Sequence, residues 1–325
     1  MSLDIVIVNW NSGDHLRECV ASIERSAAHL PPGHRLECVV VVDNGSTDGS
    51  QHFDVPAHMV LKRISNADNR GFAAACNQGA AACTSALVLF LNPDTLLFDN
   101  SLSLAVNALT VPGNERVGIV GIGLQDDSGA VVSTCSRFPR GHHYLAHALG
   151  ITRVWPQYGQ LMVEWDHRDT RTVDQVIGAF FLTRRKMFAA LGGFDERFFV
   201  YLEEVDLSLR AHEAGWRSLY VADAQAYHKG GGSSEAVRAR RLHYSLRSRL
   251  RYAAKHYGVG ERALVQLVTW GLEPITRAIF MTAKRKSSQL TELLKTYQWL
   301  LAETHVVKYI SSCKPALFMR DRKPP

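Results

Sequence analysis

The chain has 325 residues, of which 46% are hydrophobic and 21% are charged. This composition is typical of a globular protein, and it excludes a chain that is disordered throughout, a collagen-like chain and a coiled coil. The length suffices for one large domain or two modest domains with a well-formed core.

The net charge of +6 is distributed unevenly along the chain. Residues 1–228 contain 18 Lys+Arg and 25 Asp+Glu, whereas residues 229–325 contain 19 and 6, so the formal charges of the two parts are −7 and +13. The asymmetry predicts an anionic partner for the C-terminal part, either a membrane surface or a nucleic acid. We expect no nucleic-acid partner, because no recognition motif accompanies the basic residues.

The six cysteines contain no C-x-x-C pair, so a zinc knuckle or a thioredoxin-type motif is not predicted. We expect reduced, mostly buried thiols in a cytoplasmic protein. We expect no signal peptide, because the start of the chain has neither a basic segment nor a small-residue cleavage site. The best candidate for a membrane span, 263–281, contains Glu273, Pro274 and Arg277, so we expect no spanning helix.

Short apolar runs alternate with amphipathic segments in the first part of the chain. Four runs predict buried strands: 4–8, 36–42, 86–91 and 117–122. Three segments predict helices: 13–29, 71–83 and 100–110. Solidly apolar strands that alternate with helices are typical of a parallel sheet covered on both faces.

The alternation lapses over 123–175, where we expect irregular loops or a small excursion over the edge of the sheet. A further strand is predicted near 176–183, a helix over 203–214 and a last short strand over 216–221. From 235 onward the pattern is helical, basic and aromatic.

Asn9, Asp43 and Asp94 each stand at the carboxyl end of a predicted strand. Ligands of such sheets bind beyond these strand ends, so this rim is the first candidate site. Asp43 could accept hydrogen bonds from a nucleobase or a ribose, or could simply cap the following turn. Asp94 could hold a divalent cation beside a diphosphate, although Asn-Pro-Asp is also an ordinary turn sequence.

Glu203, Glu204 and Asp206 crowd the start of a predicted helix, directly after an aromatic stretch. Acidic residues favour a helix N-terminus through the helix dipole, which is a sufficient structural reason for them. Carboxylates crowded beside apolar surface also tend to have raised pKa values, which suits a general base. Neighbouring helical residues point about 100° apart, so we expect only one of Glu203 and Glu204 to face a cleft.

His228 precedes a run of glycines. It could bind a metal or a phosphate, whereas the glycines could equally form a linker to the basic C-terminal part. The sequence contains neither a dinucleotide-binding glycine motif after a strand nor a P-loop.

The order and spacing of these motifs resemble the family-2 inverting glycosyltransferases of the GT-A fold, in particular the rhamnosyltransferase-like branch. The matching stretches are Ile5–Asn11, Val41–Ser50, Asn69–Phe72 with Asn77 and Gly79, Leu91–Thr95, Gly178–Arg184, Gly192–Trp216 and His228–Ser234. The resemblance implies an α/β catalytic domain over 1–234, with a Rossmann-like, mostly parallel sheet and helices on both faces. Residues 235–325 match only loosely and are expected to form a basic, mainly helical region.

The resemblance also implies roles for individual residues. The donor-binding residues would be Asn9, Asp43, Arg70, Asn77 and Asn92, with Asp43 on the base of the nucleotide sugar. Asp94 and His228 would hold Mg²⁺ or Mn²⁺ against the diphosphate. Glu204 stands where the family usually has an Asp that activates the acceptor, and Glu203 and Asp206 remain alternatives. The metal motif often begins with Asp, so Asn92 should weaken metal affinity.

The implied reaction is transfer of a sugar with inversion, with L-rhamnose from dTDP-L-rhamnose as the best match and UDP-sugars as the alternative donors. The acceptor would be a hydroxyl of a cell-surface polysaccharide or of a lipid-linked glycan. The competing interpretation is a non-catalytic protein that binds an anionic membrane surface. Its basic patch would comprise Arg238, Arg240, Arg241, Arg247, Arg249 and Arg251 with Tyr244 and Tyr252.

The C-terminal region mixes its basic residues with apolar ones, namely Leu264, Val265, Leu267, Val268, Trp270, Ile275, Ile279 and Phe280. A basic amphipathic region suits the inner face of the cytoplasmic membrane, where the protein would be peripheral. The apolar side could equally pack on the catalytic domain or form a homodimer.

Overall fold

The structure, a computed structural model, describes residues 1–230, 238–285 and 287–312. The first elements in chain order are β1 (Ser2–Asn9), α1 (His15–Ala27), β2 (Arg35–Asp43), β3 (Leu61–Ser65), α2 (Phe72–Ala81), β4 (Leu87–Leu91), β5 (Thr95–Leu97), α3 (Ser101–Ala108) and β6 (Val117–Gln125). The next are β7 (Val131–Val132), β8 (Cys135–Ser136), α4 (Gly141–Ala148), β9 (Arg171–Val173), β10 (Gln175–Val176), β11 (Phe180–Arg184), α5 (Arg185–Ala190), α6 (Glu203–Glu213) and β12 (Arg217–His228). The remaining helices are α7 (Arg238–His256), α8 (Val259–Leu267), α9 (Glu273–Ala283) and α10 (Ser287–Ser312).

Within the described residues, ten strands form one sheet in the order β3-β2-β1-β4-β11-β6-β12-β5, with β7 on β6 and β9 on β12. Strands β3, β2, β1 and β4 are parallel, and β12 is parallel to β6. Strand β11 lies between β4 and β6 and runs antiparallel to both. The long strands therefore share one direction, which confirms the predicted α/β architecture with its mostly parallel sheet.

Both faces of the sheet are covered by helices, which explains the solidly apolar strands. In β1, Ile5 and Ile7 belong to the same buried cluster as the inner sides of α1 and α3. Val6 and Val8 point the other way and join the cluster that includes residues of α2 and α6. Because successive side chains of a strand point to opposite faces, β1 contributes to the core on each face of the sheet.

The sequence did not indicate several elements that the structure contains. Strand β3 is an edge strand whose residues alternate between half-buried and exposed, so it lacks the apolar run of its neighbours. Strand β12 extends to His228 beyond the predicted end at 221, across a register shift in its pairing with β6. The irregular region 123–175 contains β7 to β9 and the start of β10 as well as helix α4, all short.

Five of the cysteines are buried and free in the described part, as predicted: Cys19, Cys38, Cys76, Cys83 and Cys135. Cys313 lies outside the described residues. In the part of the chain that the structure describes, no helix combines the length and the apolar character that crossing a membrane requires.

The C-terminal helices divide the predicted apolar residues between interior and surface. Val265 and Val268 are buried, whereas Leu267, Ile275 and Ile279 are 68%, 59% and 64% exposed. The predicted basic patch is not one continuous surface, because Arg249 and Tyr252 are buried. The side chain of Arg238 and residues 231–234 lie outside the described part.

Asp206 fastens α6 to α7. Its carboxylate is fully buried and lies 2.8 Å from Arg210 on its own helix, 2.5 Å from Lys255 and 2.7 Å from His256 on α7. Burial alone would raise the pKa of Asp206, but the hydrogen bonds from His256 and Lys255 and the nearby charges hold it below its ordinary value. The carboxylate is therefore ionised and locks the two helices together.

We predict that Asp206→Asn lowers the free energy of unfolding by about 3 kcal/mol, because it leaves buried cationic groups without their shared counter-ion. Since the folded state lowers the pKa of Asp206, this stabilisation is present above the unfolded pKa and is lost as the pH falls through the folded value. Urea denaturation at pH 7 and at acidic pH measures both effects.

Asp14→Asn is the matched control, because it breaks the exposed ion pair with Arg17 on α1. That pair should contribute less than about 1 kcal/mol. An Asp206→Asn variant no less stable than this control would contradict the proposed lock between the helices.

Candidate active site

Asn9 and Asp43 lie side by side at the carboxyl ends of β1 and β2, where the strand register pairs them. The Nδ2 atom of buried Asn9 donates to Asp43 Oδ1 at 2.7 Å and to the hydroxyls of Ser46 and Ser50. Asp43 Oδ2 accepts from the Ser46 amide at 3.1 Å, so the carboxylate also stabilises its own turn. Asn9 thus orients Asp43 at the rim, and both predicted roles of Asp43 remain compatible with this geometry.

The loop that carries Arg70 rests on a network of amide side chains. Asn66 Nδ2 donates to Asn44 Oδ1 and to Gln78 Oε1, both at 2.9 Å, and Asn44 Nδ2 donates to the Gly71 carbonyl at 3.1 Å. Arg70 is exposed at the end of this loop, without a hydrogen bond or an ion pair to any described residue. Sequence reasoning missed this network, although the polar turn after Asp43 was a signal for Asn44.

Two glycines permit the close approach of these loops. Gly45 has a φ of +75°, and a Cβ there would lie 3.1 Å from the Cα of Asp68. Gly71 has a φ of +91°, and a Cβ there would lie 2.6 Å from the carbonyl oxygen of Phe199. A side chain at either position would push the loop around Arg70 away from its neighbours.

Asn77, a predicted donor-binding residue on α2, faces the segment before α6. Its Nδ2 donates to the Phe194 carbonyl at 2.8 Å and to Glu196 Oε1 at 3.0 Å, and its Oδ1 accepts from the Phe194 amide at 2.9 Å. The amide group thereby positions the loop that leads to α6. A direct role in donor binding stays a prediction.

Asp94 and His228 meet because β5 and β12 pair with Thr95 opposite His228. Asp94 Oδ1 lies 3.3 Å from His228 Nε2, and each side chain is 12% exposed. Burial alone would raise the pKa of Asp94, but the hydrogen bond and charge of His228 outweigh it and lower the pKa, so the carboxylate is ionised. Asn92 Nδ2 lies 3.5 Å from the same imidazole nitrogen.

A carboxylate and an imidazole that are partly open to solvent fit a divalent cation that takes its other ligands from a diphosphate and water. The donor set is small: nowhere in residues 1–230, 238–285 and 287–312 do three His, Cys, Asp or Glu side chains converge as a metal site. The predicted pair Asp94 and His228 therefore would need ligands from the substrate.

Two basic side chains beside this pair escaped the sequence reasoning. The backbone amide of Lys229 donates to the Asp94 carbonyl at 3.3 Å, and Lys229 Nζ lies 3.4 Å from His15 Nε2 at the start of α1. The position of Lys229 directly after His228 was a usable signal. His15 had none, because only the folded sheet brings α1 to this edge.

Helix α6 begins with a strained turn directly before Glu203 and Glu204. Tyr201 and Leu202 both have a φ of 69°, which is unfavourable for side chains of this size. Burial and then the charge of Glu203 raise the pKa of the Cys76 thiol on α2, so buried Glu203 lies within electrostatic range of that helix. Glu204 lies beside Gly178, where an added Cβ would be 3.9 Å from the Glu204 side chain.

Strand β11 brings Glu204 to the same edge as Asp94. Because β11 runs antiparallel to β4, it begins where β4 ends, and the Asn92 amide donates to the Ala179 carbonyl at 3.0 Å. Gly178 directly precedes this contact and lies next to the side chain of Glu204. The base candidate and the metal candidate therefore share one rim, although they are far apart in sequence.

The carboxylates of α6 differ in their ionisation. Burial, assisted by the charge of Glu204, raises the pKa of Glu203 well above its ordinary value. Burial raises the pKa of Glu204 to about 6. The Oε2 atoms of both residues are buried without a hydrogen-bond partner among the described residues, whereas Asp206 is fully paired. Of the three predicted candidates, Glu204 thus best combines access to the rim with a pKa near neutrality.

The family model described as "Glycosyltransferase like family 2" matches residues 2–252. The chain belongs to this family and is a glycosyltransferase, which decides against the competing interpretation of a non-catalytic binding protein. A relative from Mycobacterium tuberculosis, N-acetylglucosaminyl-diphospho-decaprenol L-rhamnosyltransferase, is 29% identical over 243 residues, which are 70% of this chain and 75% of the relative. Rhamnosyltransferase WbbL from Escherichia coli is 28% identical over 52% of this chain and 61% of its own length.

Two solved structures show the same GT-A fold. Mannosyltransferase PcManGT from Pyrobaculum calidifontis, in complex with GDP-Man and Mn²⁺, has a TM-score of 0.54 and 18% identity, covering 92% of this chain and 86% of that chain. S. aureus TarS 1-349 in complex with UDP-GlcNAc has a TM-score of 0.52 and 16% identity, covering 83% and 70%. The predicted GT-A fold is confirmed.

We predict that Glu204→Gln lowers turnover by about 10²–10⁴-fold, since an amide cannot take a proton from the acceptor. The same change should not destabilise the protein above pH 6, because it removes a buried carboxylate whose ionisation opposes folding. In the wild type, kcat/KM should rise with pH through an apparent pKa near 6, where Glu204 ionises.

Glu203→Gln is the control, because Glu203 is the buried neighbour of Glu204 on the same helix. It should keep most of the activity and the pH profile. If Glu203→Gln were the inactive variant and Glu204→Gln the active one, the assignment of the base would be wrong.

Proposed function

We propose that the protein transfers L-rhamnose from dTDP-L-rhamnose, with inversion, to a hydroxyl of a lipid-linked glycan in polysaccharide synthesis. The observation that carries this proposal is the position of Glu204, a buried carboxylate with a raised pKa, on the same rim as Asp94 and His228. The two relatives reported above carry the name rhamnosyltransferase, which supports the donor sugar. A UDP-sugar is the alternative donor.

The donor nucleotide would lie along the rim from β2 to β4. Asp43, oriented by Asn9, would accept hydrogen bonds from the base or the ribose. Arg70 is exposed and unpaired among the described residues, so its guanidinium is available for an anionic part of the donor. Asn92 would line the pocket near the diphosphate.

Asp94 and His228 would hold Mg²⁺ or Mn²⁺. The PcManGT structure with Mn²⁺ supports this, as does the ionised state of Asp94. A bound divalent cation supplies stabilisation of the negative charge that develops on the leaving diphosphate. Lys229 and His15 add basic groups at the same place. With Asn92 in place of a carboxylate, we expect weak metal affinity.

Glu204 would take the proton from the acceptor hydroxyl. The hydroxyl oxygen then forms a bond to the anomeric carbon as the bond from that carbon to the diphosphate oxygen breaks. The nucleoside diphosphate leaves from the face opposite the attack, so the configuration inverts. A pKa near 6 keeps Glu204 largely ionised at neutral pH and still able to accept a proton.

We further propose that residues 1–234 form the catalytic domain and that residues 235–325 form a helical region that positions the acceptor. The M. tuberculosis relative carries a diphospho-decaprenol acceptor in its name, which supports a lipid-linked acceptor here. The family match reaches residue 252, within α7.

The donor and metal assignments are tested together by the release of nucleoside diphosphate from dTDP-L-rhamnose, UDP-sugars and GDP-sugars, with and without Mn²⁺. We predict the fastest release from dTDP-L-rhamnose with Mn²⁺. Asp94→Ala should abolish the Mn²⁺-dependent part and leave the fold intact, because Asp94 stands at the rim. His228→Ala should lose less, since a hard cation depends more on the carboxylate.

Asp99→Ala is the matched control, an exposed carboxylate between β5 and α3. Near-normal turnover of Asp94→Ala at low Mn²⁺ would show that Asp94 is only a turn residue. A higher rate with a UDP-sugar would identify that donor instead.

We also propose that the protein associates peripherally with an anionic membrane. Ile275 and Ile279 lie one turn apart on the exposed side of α9. Phe280 beside them is half exposed, and the basic groups of Arg153 and Lys284 lie 4.6 Å and 5.7 Å from its ring centre. Apolar side chains flanked by cations suit the interface of an anionic bilayer.

We predict co-sedimentation with anionic phosphatidylglycerol vesicles at low salt, and its loss as salt screens the attraction. The double variant Ile275→Asn, Ile279→Asn should bind these vesicles less well, whereas Val60→Asn, an equally exposed site on the catalytic domain, should bind normally. Binding that shows no preference for anionic over neutral vesicles would contradict the proposal. A concentration-dependent dimer that the double variant abolishes would identify this face as a homodimer interface.

A further inference from the structure

A cavity of about 390 Å³ lies between α7 and the segment that leads into α6, apart from the residues assigned to the donor and the base. Its lining includes four cationic side chains, namely Arg197, Arg247, Arg251 and Lys255. The aromatic residues Phe198 and Phe199 also line it. The cavity therefore combines positive charge with an apolar wall.

Three of the four cations already have carboxylate partners. Arg197 and Lys255 share Asp195, at 2.6 Å and 2.7 Å. Arg247 lies 3.0 Å from Glu303 on α10. These pairs fix the walls of the cavity on both sides but leave its cationic groups facing one another.

Arg251 has no carboxylate partner among the described residues. Its guanidinium donates to the backbone carbonyl of Arg197, which balances no charge. Burial lowers the pKa of Arg251, and the charge of Arg247 lowers it further, whereas the charge of Glu303 acts in the opposite direction. Glu196 also lines the cavity, but its Oε1 accepts from Asn77. A half-buried cation without a counter-ion is unfavourable unless an anion joins it.

The wall of the cavity is held in place before any ligand arrives. The carbonyl of Phe199 accepts from the Phe72 amide at 2.6 Å, at the start of α2. The rings of Phe199 and Tyr244 on α7 lie 4.9 Å apart. The hydroxyl of Ser248 donates to the Val200 carbonyl at 2.8 Å. A preformed site loses little freedom on binding, which favours affinity.

We propose that this cavity binds a phosphate group of a lipid, with Arg251 as its principal contact. The guanidinium suits this chemistry, because it can donate two parallel hydrogen bonds to a phosphate. The source would be the diphosphate of a lipid-linked acceptor or the headgroup of an anionic phospholipid. The first of these sources, a lipid-linked acceptor, rests on the proposed function. Binding of its diphosphate in the cavity would place the acceptor next to the segment that leads to Glu203 and Glu204.

The test compares Arg251→Met, which keeps the apolar stem, with Arg240→Met, which removes an exposed arginine of the same helix. The first measurement is binding of inorganic pyrophosphate by calorimetry without divalent cation. Arg251→Met should weaken binding by about tenfold or more, since a charge-assisted contact is lost. Arg251→Lys should recover part of the affinity, which separates loss of charge from misfolding. Equal affinity in Arg251→Met and Arg240→Met would overturn the proposal.

Two further measurements distinguish the sources. If the acceptor supplies the phosphate, Arg251→Met should raise KM for a diphosphate-linked glycolipid about tenfold more than KM for the same sugar as a neutral alkyl glycoside. If a phospholipid supplies it, the variant should lose binding to phosphatidylglycerol vesicles and keep that KM ratio. A variant that keeps both would overturn the proposal even if pyrophosphate binding fell. A wild type that transfers no sugar would refute the proposed function, while the pyrophosphate measurement still decides on the cavity.

Discussion

The arrangement of the site depends on the contacts that the buried carboxylate of Asp206 makes with α7. This carboxylate accepts hydrogen bonds or ion pairs from Lys255 and His256 on α7 and from Arg210 on its own helix. Because Glu203 and Glu204 open that helix, whatever fixes α6 also fixes the candidate base. Lys255 belongs both to this lock and to the wall of the cationic cavity. One ion cluster therefore connects the base, the C-terminal helices and the proposed phosphate site.

The start of α6 departs from what stability alone would favour. Two successive residues, Tyr201 and Leu202, adopt left-handed backbone angles, and two carboxylates are buried side by side without hydrogen-bond partners for their Oε2 atoms among the described residues. Each feature opposes folding, and both occur where the proposed proton transfer takes place. The contacts of Asp206 with α7 offset these costs. Helix α6 therefore contains one stabilising carboxylate, Asp206, and two destabilising ones, Glu203 and Glu204.

Much of the fold could be predicted from the sequence. Buried parallel strands appear in it as apolar runs, and the helices that cover the sheet appear as amphipathic segments. The direction of β11 could not be predicted, since an apolar strand has the same pattern whether it runs parallel or antiparallel. That direction is what brings Gly178 and Glu204 to the rim of Asp94. The edge strand β3 was not predicted, because its residues are half-buried or exposed and do not form an apolar run.

In the candidate site, too, some features could be predicted from the sequence and others only from the fold. Asp43, Asp94 and His228 stand at strand ends and were identifiable one by one, whereas the partners that orient them come from distant segments. The resemblance favoured Glu204 as the base, but the sequence left Glu203 and Asp206 as alternatives. Only the fold separates them, since Asp206 meets α7, burial raises the pKa of Glu203 well above its ordinary value, and Glu204 lies beside Gly178 at the rim.

The folded protein shows which positive charges of the C-terminal region remain available to an external anion. Part of the positive charge of the C-terminal region is neutralised internally, as Lys255 binds Asp195 and Asp206 of the catalytic part and Arg249 binds Glu273. An external anion is therefore attracted only by the cations that remain, among which Arg251 is half buried and Lys284 borders the exposed face of α9. These two positions call for different partners. A cation inside a preformed cavity selects a single phosphate group, whereas cations beside an exposed apolar helix face suit the broad, salt-sensitive attraction of a membrane surface.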